Sequence, residues 1–372
     1  MTKTDLRALL GYHPDPAAVR RRLVREAEEL LRWGQSDERH QPVLTSLAGQ
    51  LRKFYLYPTF DCPLRCPYCY AEGGERHVDE LDAPSFLRIT QEAAEAGFAS
   101  VVIVGGEPLV YRDFRRYLDG LAEIDLKGCS LVLRTSFGFR VADELMGRLC
   151  AAFDEIVVSI DGDEETHDAV RGKGTWRHVT SNSLRALERG GRISVNSVMT
   201  REQSDGAPGT FLRSFCTEHG IKKLVISAPV PMGRAAGTDV PPFEWRSDAR
   251  PKRVLSIKPK FSCGLGHSLY MQPDGSVYPC YAWCEREHRL GDLSRESLSD
   301  VLERGDLLAI ANSGVDTNEK CRTCEVRYFC GGMCKIYVRD KHDIDSGDFD
   351  CTETKQEILR MLAAQGISKG VS

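Results

Sequence analysis

Cys62, Cys66 and Cys69 form a C-x3-C-x2-C run in the context FDCPLRCPYCYAEGG. The three positions could share one face of a helix as a buried stripe. Pro63 and Pro67 would interrupt that helix, so the segment reads as a loop wrapping three thiolates around one object. Structural zinc takes four ligands and favours paired C-x2-C knuckles, whereas three thiolates suit a [4Fe-4S] cluster with one iron left open. Eight further cysteines gather toward the C-terminus: Cys263, Cys280, Cys284, Cys321, Cys324, Cys330, Cys334 and Cys351. Eight thiols can close two four-ligand sites, either as a pair of zinc ribbons or as clusters. Cys129, Cys150 and Cys216 lie beside or inside apolar segments and read as small buried hydrophobes, and Trp176, Trp245 and Trp283 read as packing residues.

The elements that must hold these thiols follow from periodicity. After a short β-rich run, Phe54 to Phe60, compact β-branched runs recur at 101–104, 130–133, 156–160, 193–198 and 224–226, separated by segments of helical spacing such as Phe114, Leu118 and Leu121. Strands of this kind suit a parallel sheet buried on both faces, either an open doubly wound sheet or an incomplete barrel, with ligands at the C-terminal ends of the strands. Before them lies a charged helical segment with Asp15 as N-cap, Pro16 at N1, a stripe of Val19, Leu23, Ala27, Leu30 and Leu31, and Gly34 as its end. Residues 229–260 are rich in Pro, Gly and Arg and read as a linker or substrate-facing loop. The cysteine-dense region beyond has little aliphatic content and is expected to rely on metal crosslinks. The domain reading is therefore an N-terminal helical extension (1–51), a βα domain (52–228), the linker (229–260), a cysteine-rich domain (261–352) and a C-terminal helix and tail (353–372).

Composition narrows the function classes. The chain has 372 residues, with Lys+Arg 50 against Asp+Glu 54 and a net charge of −4, so it lacks the positive field of a general nucleic-acid binder. It has no apolar run long enough to span a bilayer and no apolar signal segment at its N-terminus, and a cytoplasmic location is expected.

The cysteine run, with Tyr68 before its third thiol, resembles the hallmark of the radical S-adenosylmethionine (SAM) superfamily. Gly105-Gly106-Glu107-Pro108 is similar to that family's GGEP motif, and Ser159-Ile-Asp-Gly162 with His167, Asp168 and Arg171 falls where another βα loop belongs. The resemblance implies a partial (β/α)6 TIM-like barrel and an open iron chelated by the amino and carboxylate groups of SAM. It also implies that Gly105 and Gly106 let backbone approach the methionyl amine with Glu107 in support, that Ser159 and Arg171 address the carboxylate or ribose, and that Thr135 lines the site.

The spacing Cys263-x11-Gly275-x4-Cys280, then Cys321-x2-Cys324-x5-Cys330-x3-Cys334, then Cys351 is similar to the SPASM domain, an auxiliary-cluster extension of radical SAM enzymes. By that resemblance Cys321, Cys324, Cys330 and Cys351 ligate an outer auxiliary cluster, and Cys263, Cys280 and Cys334 an inner one, both expected to be [4Fe-4S]. No cysteine lies between Cys263 and Cys280, so Cys284 is the candidate fourth ligand or, failing that, a hydrogen donor to a substrate radical. Sulfatase-maturing relatives carry an acidic base directly after the second of these cysteines, where this chain has Tyr281. Asp274, Glu285 and His267 are nearby acid/base candidates, each with a turn or surface role as its plainer reading.

The implied activity is reductive cleavage of SAM to a 5′-deoxyadenosyl radical, which takes a hydrogen from substrate. Oxidative crosslinking of a ribosomally made peptide is the favoured outcome. Dehydrogenation or epimerisation of a small molecule such as a sugar or aminocyclitol is the alternative. An external donor such as flavodoxin or ferredoxin is expected to supply electrons. The helical extension is too short for a peptide-recognition domain, so a separate leader-peptide-binding protein is a further expected partner.

Overall fold

Short β-branched runs bury both of their faces, and here they become one ten-stranded sheet. In the computed structural model, which describes residues 16–75, 79–236, 245–246, 258–332, 334, 351–364 and 367, six parallel strands lie side by side in chain order. They are β1 (Lys53–Leu56), β2 (Ser100–Ile103), β3 (Ser130–Thr135), β4 (Glu155–Ser159), β5 (Ile193–Val198) and β6 (Leu224–Ser227). The expected α/β class with a (β/α)6 core is therefore present. Side chains such as Phe54, Leu56, Ile103, Leu131, Leu133, Ile156 and Val158 are almost wholly removed from water.

Helices follow the strands where apolar spacing and caps agree. Helix α2 (Ala83–Glu95) starts at Asp82, whose side chain accepts from the Ser85 N–H, with a proline in its first turn, and it packs on β2. After α3 (Phe114–Gly120) and α4 (Asp143–Ala152), α5 (Glu164–Arg171) is capped by Asp163 and delivers Arg171 in its last turn. Helix α6 (Thr175–Glu188) packs on β4 and β5, while α7 (Arg201–Asp205) and α8 (Ala207–Glu218) link β5 to β6.

The sheet does not stop at the sixth strand. Beyond β7 (Trp245–Arg246), which pairs antiparallel with β6, β8 (Ser268–Met271) adds parallel to β1, and β9 (Ser276–Tyr278) and β10 (Gly291–Asp292) follow antiparallel. A four-residue run such as Ser268–Met271 is too short to announce a strand by itself. It becomes one because the edge of β1 offers unpaired backbone groups.

The chain divides into two compact units, Thr45–Ala249 with Gly266–Leu308, and Met1–Leu44 with Arg250–Leu265 and Ala309–Ser372. The first holds the sheet and α9 (Leu298–Glu303). Within the second, α1 (Pro16–Gln35), α11 (Arg327–Cys330) and α12 (Thr352–Ala364) share a core of Ala27, Leu31, Val326, Ile358, Leu362 and Ile367, so apolar packing stands beside whatever metal crosslinks the cysteines supply. A buried pair reinforces it: Arg327 Nε lies 3.1 Å from Asp316 Oδ1, and Asp316 Oδ2 accepts from the His40 and Gln41 N–H groups. Helix α1 also runs through Gly34 to Gln35. Gly34 is not its terminator; a Cβ there would meet the Glu325 carbonyl, so the absence of a side chain permits close packing.

Asp15, the Val19 side chain, most of 229–260 and the Trp245 side chain lie outside what is described. Helix α10 (Gly305–Asn312) completes the element list. Among the described residues no helix is long and apolar enough to cross a membrane.

Candidate active site

The loop leaving β1 carries the three thiols and is closed on itself. Cys62 N donates to Gly74 O (3.2 Å), Gly74 N to Phe60 O (2.9 Å) and Cys69 N to Cys66 O (3.2 Å). Two backbone N–H groups turn toward sulfur, Leu64 to Cys62 Sγ and Gly73 to Cys69 Sγ, each at 3.4 Å. Burial pushes the Cys62 thiol up to about 12 and raises that of Cys66 as well, so the thiolate forms need a cationic partner to persist. A buried thiol, Cys66, and two half-buried ones, Cys62 and Cys69, held by a non-helical loop with N–H groups aimed at sulfur, fit an iron–sulfur cluster.

The glycines of the β2 loop are explained by their neighbours. A Cβ on Gly106 would lie 2.3 Å from Asp61 O and one on Gly105 2.5 Å from Thr59 O, while Gly106 N and Glu107 N donate to Thr59 O and Asp61 O. The GGEP turn therefore lies directly against the chain entering the cysteine loop. Glu107 is fully buried, and its carboxylate accepts from Thr135 Oγ1 (2.7 Å), Ser136 Oγ (2.5 Å) and the Ser136 and Leu109 N–H groups. Burial raises its pKa against these bonds. The Thr135 hydroxyl donates to Glu107, and its side chain is buried beside that carboxylate.

A second network ties the middle of the cysteine loop to β4 and α5. Tyr68 OH and Arg171 Nε both donate to Asp161 Oδ2, the latter at 2.6 Å, and Asp161 Oδ1 accepts from Val198 N (2.8 Å) and Ser197 Oγ (3.2 Å). The Arg171 guanidinium stands 5.6 Å over the Tyr68 ring. Burial pushes the Asp161 carboxyl up, but the charge and hydrogen bond of Arg171, the Tyr68 hydroxyl and the Val198 N–H outweigh it and hold it below the usual range. His167, lowered to about 4 by burial and then by Arg171, is neutral and accepts the Asp161 N–H on Nδ1 (3.1 Å). Arg171 is thus engaged with Asp161 rather than pointing only toward a ligand, and Ser159 stands half-buried at the end of β4.

The turn after β6, part of the stretch read as linker, grips the same loop. Arg234 Nε donates to Cys66 O (2.7 Å), Nη1 to Gly73 O (2.9 Å) and its backbone N to Cys69 O (3.1 Å). Gly233 has φ +55° and would place a Cβ 2.4 Å from Cys69 O. Sequence reasoning missed this clamp: Pro231-Met-Gly-Arg234 signals a turn, but nothing local names a partner 168 residues earlier.

On the same face of the sheet a cavity of about 130 Å³ is lined by Tyr57, Tyr70, Tyr270, Tyr281, Met232 and Cys284, among others. Tyr70 follows the third cysteine and Tyr281 follows Cys280; their ring centroids are 5.0 Å apart. Tyr57 and Tyr70 share a 2.8 Å hydroxyl contact, and burial raises the pKa of both. Cys284 Sγ donates to the Cys280 and Tyr281 carbonyls. Tyr281 and Cys284 are therefore together at the cavity, whereas Asp274 is not. Asp274 is exposed, and its carboxylate accepts from Ser276 N (2.9 Å) and Oγ (3.0 Å) as the turn residue between β8 and β9.

In the other unit a small cavity of about 30 Å³ is lined by Cys321, Cys324, Cys330 and Cys351 together with Lys320 and Lys355. A four-thiolate zinc site converges to about 2.3 Å from one ion. Among the described residues no three such side chains are grouped to hold a single ion, while these four thiols line one and the same pocket. Cys330 is pushed up to about 11 by burial. Of the cavity-independent thiols, Cys129 and Cys216 are buried as expected and Cys150 is half-buried.

Comparisons with known proteins agree with this geometry. Residues 56–214 match the family model of the radical SAM superfamily, and residues 263–325 match that of SPASM, an iron–sulfur cluster-binding domain. PqqA peptide cyclase of Methylorubrum populi is 26% identical over 316 residues, 74% of this chain and 78% of that protein. The crystal structure of Streptococcus suis SuiB superposes with a TM-score of 0.62 at 19% identity, covering 80% of this chain and 76% of that one; SuiB is also known bound to precursor peptide SuiA. Native anSMEcpe with bound AdoMet gives a TM-score of 0.61 at 14% identity, covering 85% and 99%. With the cysteine loop and the βα sheet where the two family matches fall, the chain is a radical SAM superfamily enzyme with a C-terminal SPASM domain, the two domains implying SAM and iron–sulfur clusters.

Proposed function

We propose that this enzyme oxidatively crosslinks a ribosomally synthesised peptide. The observation that carries the reading is the tyrosine-lined cavity, where Tyr70 from the cysteine loop and Tyr281 with Cys284 from the SPASM match stand within one chamber. Its volume of about 130 Å³ and its aromatic lining with a few polar atoms suit a single amino-acid side chain. Similarity to PqqA peptide cyclase and to the SuiB fold supports a peptide substrate.

In this reading Cys62, Cys66 and Cys69 hold the primary [4Fe-4S] cluster, with Tyr68, Gly105, Gly106, Glu107, Thr135, Ser159 and Arg171 shaping the SAM site around it. Cys321, Cys324, Cys330 and Cys351 hold the outer auxiliary cluster. Cys263, Cys280 and Cys334, with Cys284 as fourth, belong to the inner one. When bound, these groups supply hydrogen abstraction and an acceptor for the electron that remains after crosslinking. The protein's own contribution is to fix the loop through Asp161 and Arg234, to exclude water with the aromatic wall, and to keep the phenols of Tyr57 and Tyr70 neutral. Electrons come from a flavodoxin or ferredoxin, and a separate protein presents the leader peptide.

The test is anaerobic incubation of reconstituted enzyme, SAM and reductant with a candidate precursor peptide encoded beside it. Loss of two hydrogens from the peptide, absent in the Cys62→Ala/Cys66→Ala/Cys69→Ala variant, is the expected result; an unchanged peptide mass with continued 5′-deoxyadenosine formation overturns it. Cys284 at the cavity favours one second reading, epimerisation of a small molecule such as an aminocyclitol with the thiol returning hydrogen. Solvent deuterium appearing at one substrate carbon, with no net oxidation, distinguishes it.

A further inference from the structure

Arg134 is the fifth residue of β3, and parallel pairing sets it opposite Val157 of β4. Paired residues on adjacent strands share a face. The Arg134 side chain therefore lies on the face that carries Val132, Val157, Tyr57 and Phe60, the same face that supplies the walls of the tyrosine cavity. Its guanidinium stands 5.6 Å over the Tyr55 ring, Tyr55 stacks on Tyr270 at 4.4 Å between centroids, and Tyr270 lines the cavity.

Among the described residues this cation has no anion. Arg134 Nε is buried without a hydrogen-bond partner, and among the described residues no carboxylate pairs with the guanidinium. Of the carboxylates of the adjoining loops, Glu107 is engaged with Thr135 and Ser136 and Asp161 with Arg171 and Tyr68, while Glu72, exposed at the cavity, makes no ion pair with Arg134. The neighbouring hydroxyls of Tyr57 and Tyr70 bond to each other at 2.8 Å. One π face offsets part of the cost of removing a guanidinium from water, but a partly buried cation with an unsatisfied N–H calls for a hydrogen-bonding counter-ion. The planar fork of arginine matches a carboxylate with two parallel bonds.

We propose that Arg134, next to the tyrosine cavity across the Tyr55–Tyr270 stack, is an anion-binding residue that takes a carboxylate of the bound ligand. The carboxylate has two sources, an acidic side chain or C-terminus of the substrate and the methionyl end of SAM. The assignment deepens the chamber reading above, in that it gives the ligand seated there a negative group at the β3 side.

The test measures phenylglyoxal modification of Arg134 in the reconstituted full-length protein, kept anaerobic and without reductant, by peptide mass mapping. Four probes are compared: N-acetylglutamate, N-acetylglutamine, SAM and decarboxylated SAM. Protection of about tenfold or more by an acid and not by its neutral or decarboxylated partner is expected, a tenfold difference being one decade in binding. Selective protection by N-acetylglutamate assigns the site to substrate, and selective protection by SAM assigns it to the cofactor. Absence of protection, or equal protection by acid and uncharged analogue, overturns the proposal and leaves Arg134 a cation resting on Tyr55. No turnover enters the measurement, so a failed crosslinking assay and a failed protection assay are separate results.

Discussion

Replacing Asp161 with asparagine preserves shape and removes the charge that holds Tyr68 and Arg171. Asp161 and Arg171 have only 1% and 9% of their side chains exposed, so the remaining guanidinium would stay buried without compensation. Breaking a buried pair in this way costs about 3–5 kcal/mol, chiefly because of the charge left behind. For a body of this size that corresponds to a fall in melting temperature of roughly 6–20 °C, at about 2–4 °C per kcal/mol. The assay is thermal unfolding of the metal-free protein by circular dichroism, with iron content after reconstitution as a second readout. The double variant Asp161→Asn/Arg171→Met should recover at least about half of the loss, because no charge is then unpaired. The pH dependence has a definite sign. Asp161 is held below the usual carboxylate range, so its stabilisation is present above the unfolded value of about 3.9 and disappears as pH falls through the lower folded value. The gap between wild type and Asp161→Asn should therefore be flat from about pH 8 to 5 and close only below about pH 4. A loss under about 1 kcal/mol, or a double variant no better than the single one, refutes the reasoning.

Arg234→Lys keeps a charge but cannot reach both Cys66 O and Gly73 O as a fork; faster loss of the primary cluster to a chelator is expected, and an unchanged rate removes the clamp. Gly233→Ala places a methyl against Cys69 O at positive φ, so iron incorporation should fall together with stability by about 1–3 kcal/mol, measured by denaturation of the metal-free protein. Cys351→Ser should lower reconstituted iron by about four per chain while SAM cleavage continues, since the primary cluster is intact; zinc in place of that iron in wild type would make the site structural. Cys284→Ser should abolish peptide conversion and spare uncoupled 5′-deoxyadenosine formation, and full conversion would remove Cys284 from the reaction.

Much of the protein was legible before any tertiary contact was known. The cysteine spacings, the prolines that forbid a helix between them, and the β-branched runs of β2 to β6 are local properties, set by ligand chemistry, φ restriction and two-sided burial. The pairing of β8 with β1, and the core that joins α1 to α11 and α12, depend instead on which free edge and which apolar stripe meet across the chain. The same holds at the site. Asp274 reads as an acid/base candidate from its neighbourhood and proves to be a turn residue, while Arg234, inside a stretch without periodicity, holds the cysteine loop through three hydrogen bonds. Arg134 is one arginine in a strand until the register turns it toward tyrosines rather than carboxylates. Residue type and spacing determine which chemistry is available, because ligation and backbone preference are short-range. Which charge meets which partner is decided only by folding, because burial removes the water that would otherwise satisfy each group alone.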